Sequence, residues 1–302
     1  MAFLRRVAVV ATLAAALAAW PGTWQPGRAE PAGASAKKAQ VSACDRAAFR
    51  IVVDVGHTAE SPGAKSARGV GEYDFNLRLA SLIEQDLLHA GFAKTVLLIT
   101  DGPARKSLAA RVARANALSP DLFLSIHHDS VPDRFLESWE YEGERHSFSD
   151  RFKGHSIFIS NENPDPNGSL LFGRLMGEEL GARGLRYTPH YIEKFMGHRQ
   201  RLLVDVRSGV YRYDQLIVLR KTHMPAVLLE AGSIINRDEE IQLGSPERQS
   251  LISAAVTDAV DSFCALRRPL RPERARASAA AGPLSLSAGA HSAKPVRPRP
   301  SQ

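Results

Sequence analysis

At 302 residues, 44% of them hydrophobic, the chain is long enough to bury one sizeable core with extensions to spare. Its formal net charge of +7 is concentrated at the ends: from Arg267 onward there are eight basic residues and one acidic, and residues 1–45 hold five and two. The stretch between is close to neutral, with 26 basic against 29 acidic residues, which excludes a nucleic-acid-binding body.

The N-terminus reads as an export signal. Arg5 and Arg6 precede an apolar run over residues 7–19, too short for a membrane span, and Trp20, Pro21 and Gly22 break it. Gly27, Arg28 and Ala29 place small residues where a signal peptidase cuts. Residues 1–29 are therefore expected to be removed, leaving a mature chain in the periplasm or outside the cell with no transmembrane segment. An uncleaved N-terminal anchor is the alternative. Residues 30–45 read as a linker and 46–266 as the folded body. Residues 267–302, rich in Arg, Pro, Ala and Ser, read as a disordered basic tail that buries too little to offset chain entropy.

Within the body, strand-length apolar runs alternate with helical periodicity. Strands are expected over residues 50–55, 95–100, 121–126, 155–160 and 226–229. Helices are expected over residues 73–90, stopped by Gly91, over 107–118, over 169–183, stopped by Gly184, and over 246–266. This alternation predicts an α/β fold: a single mostly parallel or mixed sheet flanked by helices, with the active site at the carboxyl ends of the strands. Residues 131–153 form a long connection, rich in acidic and aromatic side chains, that reads as a lid or as a solvated excursion.

That architecture gives the polar residues meaning. The first strand runs into His57, the third into His127, His128 and Asp129, and the late strand into Glu230. Glu72 stands at the start of the first helix, after a loop containing Pro62, Gly63, Gly69 and Gly71. Two imidazoles and a carboxylate satisfy a catalytic zinc, which keeps three protein ligands and an open position. A further carboxylate can move protons, and Glu230 is the candidate. Alternation along a strand turns His128 away from His127, so His128 is the weaker ligand candidate.

The segment Ile51-Val52-Val53-Asp54-Val55-Gly56-His57, followed by Pro62, Gly63, Ala64, Gly69 and Glu72, resembles the opening motif of the zinc-dependent N-acetylmuramoyl-L-alanine amidases, the type 3 cell-wall amidases. The spacing of 15 positions between His57 and Glu72 is also similar. Ser125-Ile126-His127 resembles that family's second histidine segment. Leu219-Arg220, then Met224-Pro225-Ala226-Val227-Leu228-Leu229-Glu230 with Gly232 and Asn236, resembles the segment of its catalytic glutamate. The resemblance implies zinc held by His57, Glu72 and His127, with Glu230 as acid/base. The implied reaction is cleavage of the amide between N-acetylmuramic acid and the L-alanine of the peptidoglycan stem. Thr58 and Ala59, His128 and Asp129, and Ser233 depart from the family pattern near the substrate. Asp129 and Arg220 are the candidate substrate contacts, a structural salt bridge being the alternative for Arg220. Implied partners are peptidoglycan or a muropeptide and, as a candidate, a protein activator.

Two other classes use the same residues differently: a zinc amidohydrolase or carboxypeptidase acting on another acylated amino acid or peptide, and a catalytically silent peptidoglycan-binding module. The two cysteines, Cys44 and Cys264, flank the body and fit no metal motif, so export predicts a disulfide between them.

Overall fold

Ile51, Val52, Val53 and Val55 are β-branched and buried, which suits a strand covered on both faces; they lie in β1 (Arg50–Val55) of the computed structural model, which describes residues 44–267. The chain continues through α1 (Glu72–His89), β2 (Lys94–Leu98), α2 (Ala104–Leu118) and β3 (Leu122–Asp129). A hairpin follows, β4 (Glu137–Tyr141) and β5 (Glu144–Phe148), then β6 (Ser156–Ile159) and α3 (Pro166–Ala182). Two 3₁₀ segments, His190–Ile192 and Lys194–Arg199, lead to β7 (Leu202–Asp205) and β8 (Val210–Arg212). α4 (Ile217–Arg220), β9 (Ala226–Ser233), α5 (Arg237–Gly244) and α6 (Pro246–Leu266) complete it.

The main sheet has the order β2-β1-β3-β9-β6-β8-β7. β2, β1, β3 and β9 run parallel, β6 is antiparallel to β9, β8 follows β6, and β7 reverses again. This is the expected mixed α/β sheet flanked by helices. Ile51, Val53, Val55, Leu124, Ile126, Val227 and Leu229 share a core with α1, α3 and α6. Val52, Phe123, Phe158 and Leu228, on the other face, share a second core with α2, α4 and the 3₁₀ residues Tyr191 and Met196. Each such side chain contributes about 1.5–3 kcal/mol on full burial, so the two cores fix which face each strand residue takes.

The last helix starts where its sequence directs. Ser245 Oγ accepts the Arg248 N–H at 3.2 Å, and Pro246 occupies the first helical position. Ile252, Val256, Val260 and Phe263 are buried in the core shared with α1 and α3. In its last turn Cys264 is disulfide-bonded to Cys44, with Cα atoms 5.2 Å apart, which ties the approach to β1 onto α6.

The structure corrects the expected elements in three places. β3 and β9 extend to Asp129 and Ser233, past the predicted ends, so His127 and Glu230 are strand residues. Residues 131–153 contain the β4–β5 hairpin, whose half-buried Trp139 donates Nε1–H to Ala67 O at 2.8 Å while the Arg68 guanidinium covers Trp139 and Tyr141. That segment is therefore docked to the body. β7, β8, α4 and α5 were not expected, being too short to carry a period. Among the described residues no helix is long and apolar enough to cross a membrane. The signal, most of the linker and the basic tail lie outside the described residues.

Candidate metal centre and active-site cavity

Because β1, β3 and β9 are parallel, their carboxyl ends share one edge of the sheet. His127 and Glu230 are register partners across β3 and β9, so their side chains leave the same face. His57 follows β1 by two residues, and Glu72 is the first residue of α1, brought over the edge by the 58–71 loop. The result is tight. His57 Nε2 lies 2.9 Å from Glu72 Oε2, and His127 Nδ1 lies 2.9 Å from Glu72 Oε1. One donor atom from each of the three residues falls within 4.8 Å of the others, a spacing that suits a single metal ion. Two imidazole nitrogens and one carboxylate oxygen are the donor chemistry of catalytic zinc.

Local backbone geometry makes this convergence possible. His57 has a φ of 65°, a left-handed conformation that a residue with a Cβ adopts only at some cost. It is held from both sides. Arg111 Nη2 donates to His57 O at 2.7 Å, and Gly56 N–H donates to Ile126 O at 3.0 Å. The Arg111 guanidinium is itself buried and forms an ion pair with Asp54 at 3.0 Å, while Ser125 Oγ donates to Asp54 at 2.6 Å. Glycine is required at Gly63, where φ is 80° and a Cβ would meet Glu72 Oε2 at 2.5 Å and the His57 ring at 2.7 Å.

The electrostatics separate two kinds of carboxylate. Burial raises the pKa of Glu72, but hydrogen bonds with His127 and His57 outweigh it and hold the group well below the usual range. That favours the anion, the form in which a carboxylate can hold a metal. Glu230 is pushed well above the usual range by burial and by repulsion from Asp129 and Glu72, with Arg199 opposing. Its Oε2 is buried with no hydrogen-bond partner among the described residues. Asp129, also buried, is raised to about 6 by desolvation against the pull of Arg199 and Tyr191. Burial lowers His127 despite its contact with Glu72, which favours the neutral imidazole a metal takes.

These residues open on a cavity of about 420 Å³, whose lining includes His57, Glu72, His127, Asp129, Arg199 and Glu230. Asp129, a candidate substrate contact, is placed there; its carboxylate accepts from Tyr191 Oη at 2.8 Å. Arg220, the other candidate, is not. It ends α4, before β9 begins at Ala226, lies outside the cavity lining, and pairs with Glu162 at 3.4 Å. His128 points to the other face, where Nδ1 meets Asn76 Oδ1 at 2.7 Å, and burial lowers its pKa to about 3. Thr58 is structural: its buried hydroxyl donates to Gly102 O at 2.8 Å and accepts from Ser61 N–H at 3.0 Å. Arg199 and Tyr191 were not singled out from sequence. Both sit in irregular 3₁₀ segments that no period or motif marks.

Comparison with known proteins identifies the family. The sequence model of a family described as N-acetylmuramoyl-L-alanine amidase matches residues 51–262. The chain is 23% identical over 238 residues to N-acetylmuramoyl-L-alanine amidase AmiC of Neisseria meningitidis serogroup B, covering 70% of this chain and 52% of AmiC. In fold it is similar to the N-acetylmuramyl-L-alanine amidase Ami1 of Mycobacterium smegmatis, with a TM-score of 0.55 at 17% identity over 73% of this chain and 99% of Ami1. It is equally similar to an N-acetylmuramoyl-L-alanine amidase of Clostridium difficile 630, with a TM-score of 0.55 at 18% identity over 74% and 100% of the two chains. With the match spanning β1 to α6 and every motif residue inside it, the chain belongs to the N-acetylmuramoyl-L-alanine amidase family.

Proposed function

We propose that this protein is an exported, zinc-dependent amidase that cleaves the amide between N-acetylmuramic acid and L-alanine of the peptidoglycan stem. The observation that carries the reading is the His57–Glu72–His127 donor set with the unpartnered, buried Glu230 Oε2 in the same cavity. His57, Glu72 and His127 would hold the metal. Bound there, zinc supplies the Lewis acidity that polarises an amide carbonyl and acidifies water.

The chain's own residues do the rest. Glu72 remains ionised and fixes both imidazoles, and it is steadied in turn by Asn76 Nδ2 at 3.2 Å and the His128 N–H at 3.3 Å. Glu230, with its proton affinity raised, is suited to take a proton from water and hand it to the leaving amine. Asp129 is fixed by Tyr191 on the cavity wall.

The test is zinc content together with release of stem peptide from purified cell wall. We expect one zinc per chain, lost in His57→Ala and His127→Ala, and wall hydrolysis that stops on chelation and returns with zinc. Cleavage of other acylated peptides but not of wall would favour a different zinc amidohydrolase. Wall binding without hydrolysis would make the domain a silent binder.

A further inference from the structure

We propose that Arg199 is the anchor for a carboxylate of the substrate's peptide portion, so that the cavity selects acyl-peptides carrying a free acid group. The proposal rests on the amidase reading above and adds to it the residue that reads the peptide. The first observation is the charge inventory of the cavity. Among the described residues its lining holds four carboxylates, Glu72, Asp129, Asp133 and Glu230, and one permanently charged cation, Arg199. An anionic peptide entering this space meets repulsion from the acids that stay ionised, and among the described residues only Arg199 lines the cavity with a compensating charge.

The second observation is that Arg199 is not consumed by structure. A guanidinium carries five N–H donors. Those of Arg199 make two long contacts, Nη2 to Asp129 Oδ1 at 3.4 Å and to Tyr191 Oη at 3.5 Å, and its side chain is 40% exposed. A guanidinium whose task was to neutralise Asp129 would close to about 2.7–2.9 Å. Asp129 is instead satisfied by Tyr191, which bonds it at 2.8 Å. Arg199 therefore lines the cavity with donors unspent among the described residues, in the planar geometry that matches a carboxylate through two parallel bonds.

The third is that the backbone presenting Arg199 is fixed. Arg201 N–H donates to Tyr191 O at 2.7 Å, Gln200 Nε2 to Ile192 O at 2.8 Å, and Arg134 Nη2 to Phe195 O at 2.8 Å. The 3₁₀ segment is thus tied to its neighbours on both sides of the arginine, and little ordering is left to be done when substrate arrives.

The experiment uses the zinc-loaded mature chain and two soluble muropeptides that differ only in whether the stem carboxylates are free or amidated. The wild-type enzyme is expected to show a KM about 10- to 100-fold lower for the free acid, the range of a charge-assisted pair. Arg199→Gln should erase that preference by raising KM for the free acid more than for the amidated substrate, with zinc content unchanged, and Arg199→Lys should restore part of it. Equal wild-type KM values for the two substrates would overturn the proposal, and this comparison needs no variant to fold. A fall in kcat with KM unchanged, or an equal loss on both substrates, would also overturn it and make Arg199 a group acting on the reaction. A wild-type enzyme that releases no stem peptide from either muropeptide defeats the amidase reading itself; one that hydrolyses both alike defeats only the assignment of Arg199.

Discussion

Arg111 Nη2 donates to the carbonyl oxygen of His57 at 2.7 Å, so a buried cation from α2 holds the backbone of a metal-ligand candidate in its left-handed conformation. The same guanidinium is paired with Asp54 at 3.0 Å beneath the site. Arg111→Met should therefore act twice. It leaves Asp54 buried and unpaired, at a cost of about 3–5 kcal/mol, and it releases the His57 carbonyl. Thermal melts should show the loss of stability, and zinc competition with a chelator should show weakened metal binding. Adding Asp54→Asn should recover stability but not zinc affinity, because only the first defect is a charge. A folded Arg111→Met protein with unaltered zinc affinity would mean that the loop holds His57 without help.

Glu230 separates proton transfer from metal binding. Glu230→Gln preserves shape and should retain full zinc by elemental analysis while hydrolysis falls by roughly 10²–10⁴-fold. Loss of metal together with activity would make Glu230 a ligand instead.

His155 should make the protein acid-sensitive. It is buried, neither ring nitrogen has a hydrogen-bond partner among the described residues, and burial lowers its pKa from 6.5 to about 4. Below pH 6.5 the unfolded chain takes up a proton that the folded chain refuses, so stability is complete above 6.5 and falls as pH drops toward 4. The contribution lost by pH 5 is about 2 kcal/mol. His190, lowered to about 4, acts in the same direction, so His155→Phe should reduce the pH dependence of the melting temperature between pH 7 and 5 without abolishing it. An unchanged slope in that variant would clear His155 of the effect.

The Cys44–Cys264 bond closes a span of 220 residues, which in the chain-entropy model stabilises by up to roughly 5 kcal/mol. Reduction should lower the melting temperature while leaving zinc occupancy intact at low temperature, since both cysteines lie outside the cavity lining. Scanning calorimetry and zinc analysis with and without reductant check this directly. Simultaneous loss of zinc would mean that the clasp also shapes the site.

The sequence by itself determined the alternation of elements and the quartet His57, Glu72, His127 and Glu230, for a physical reason. A buried parallel strand is a continuous apolar run, so a histidine or glutamate at its carboxyl end stands out, and the sheet then delivers those ends to one edge. The disulfide was legible in the same way, from two cysteines at the borders of the patterned region. Periodicity reports which side chains along one element are buried; it is silent on which distant residues meet. Arg220 shows the limit. It lies ten positions from Glu230 in sequence, but it ends α4, pairs with Glu162 and lies outside the cavity lining. The hairpin of residues 137–148 was hidden because its half-buried face is held by Trp139, Tyr141 and Arg68 and not by an apolar run. Only the tertiary structure joined Arg111 to Asp54 and His57, because a buried charge is placed by the partner it finds in space.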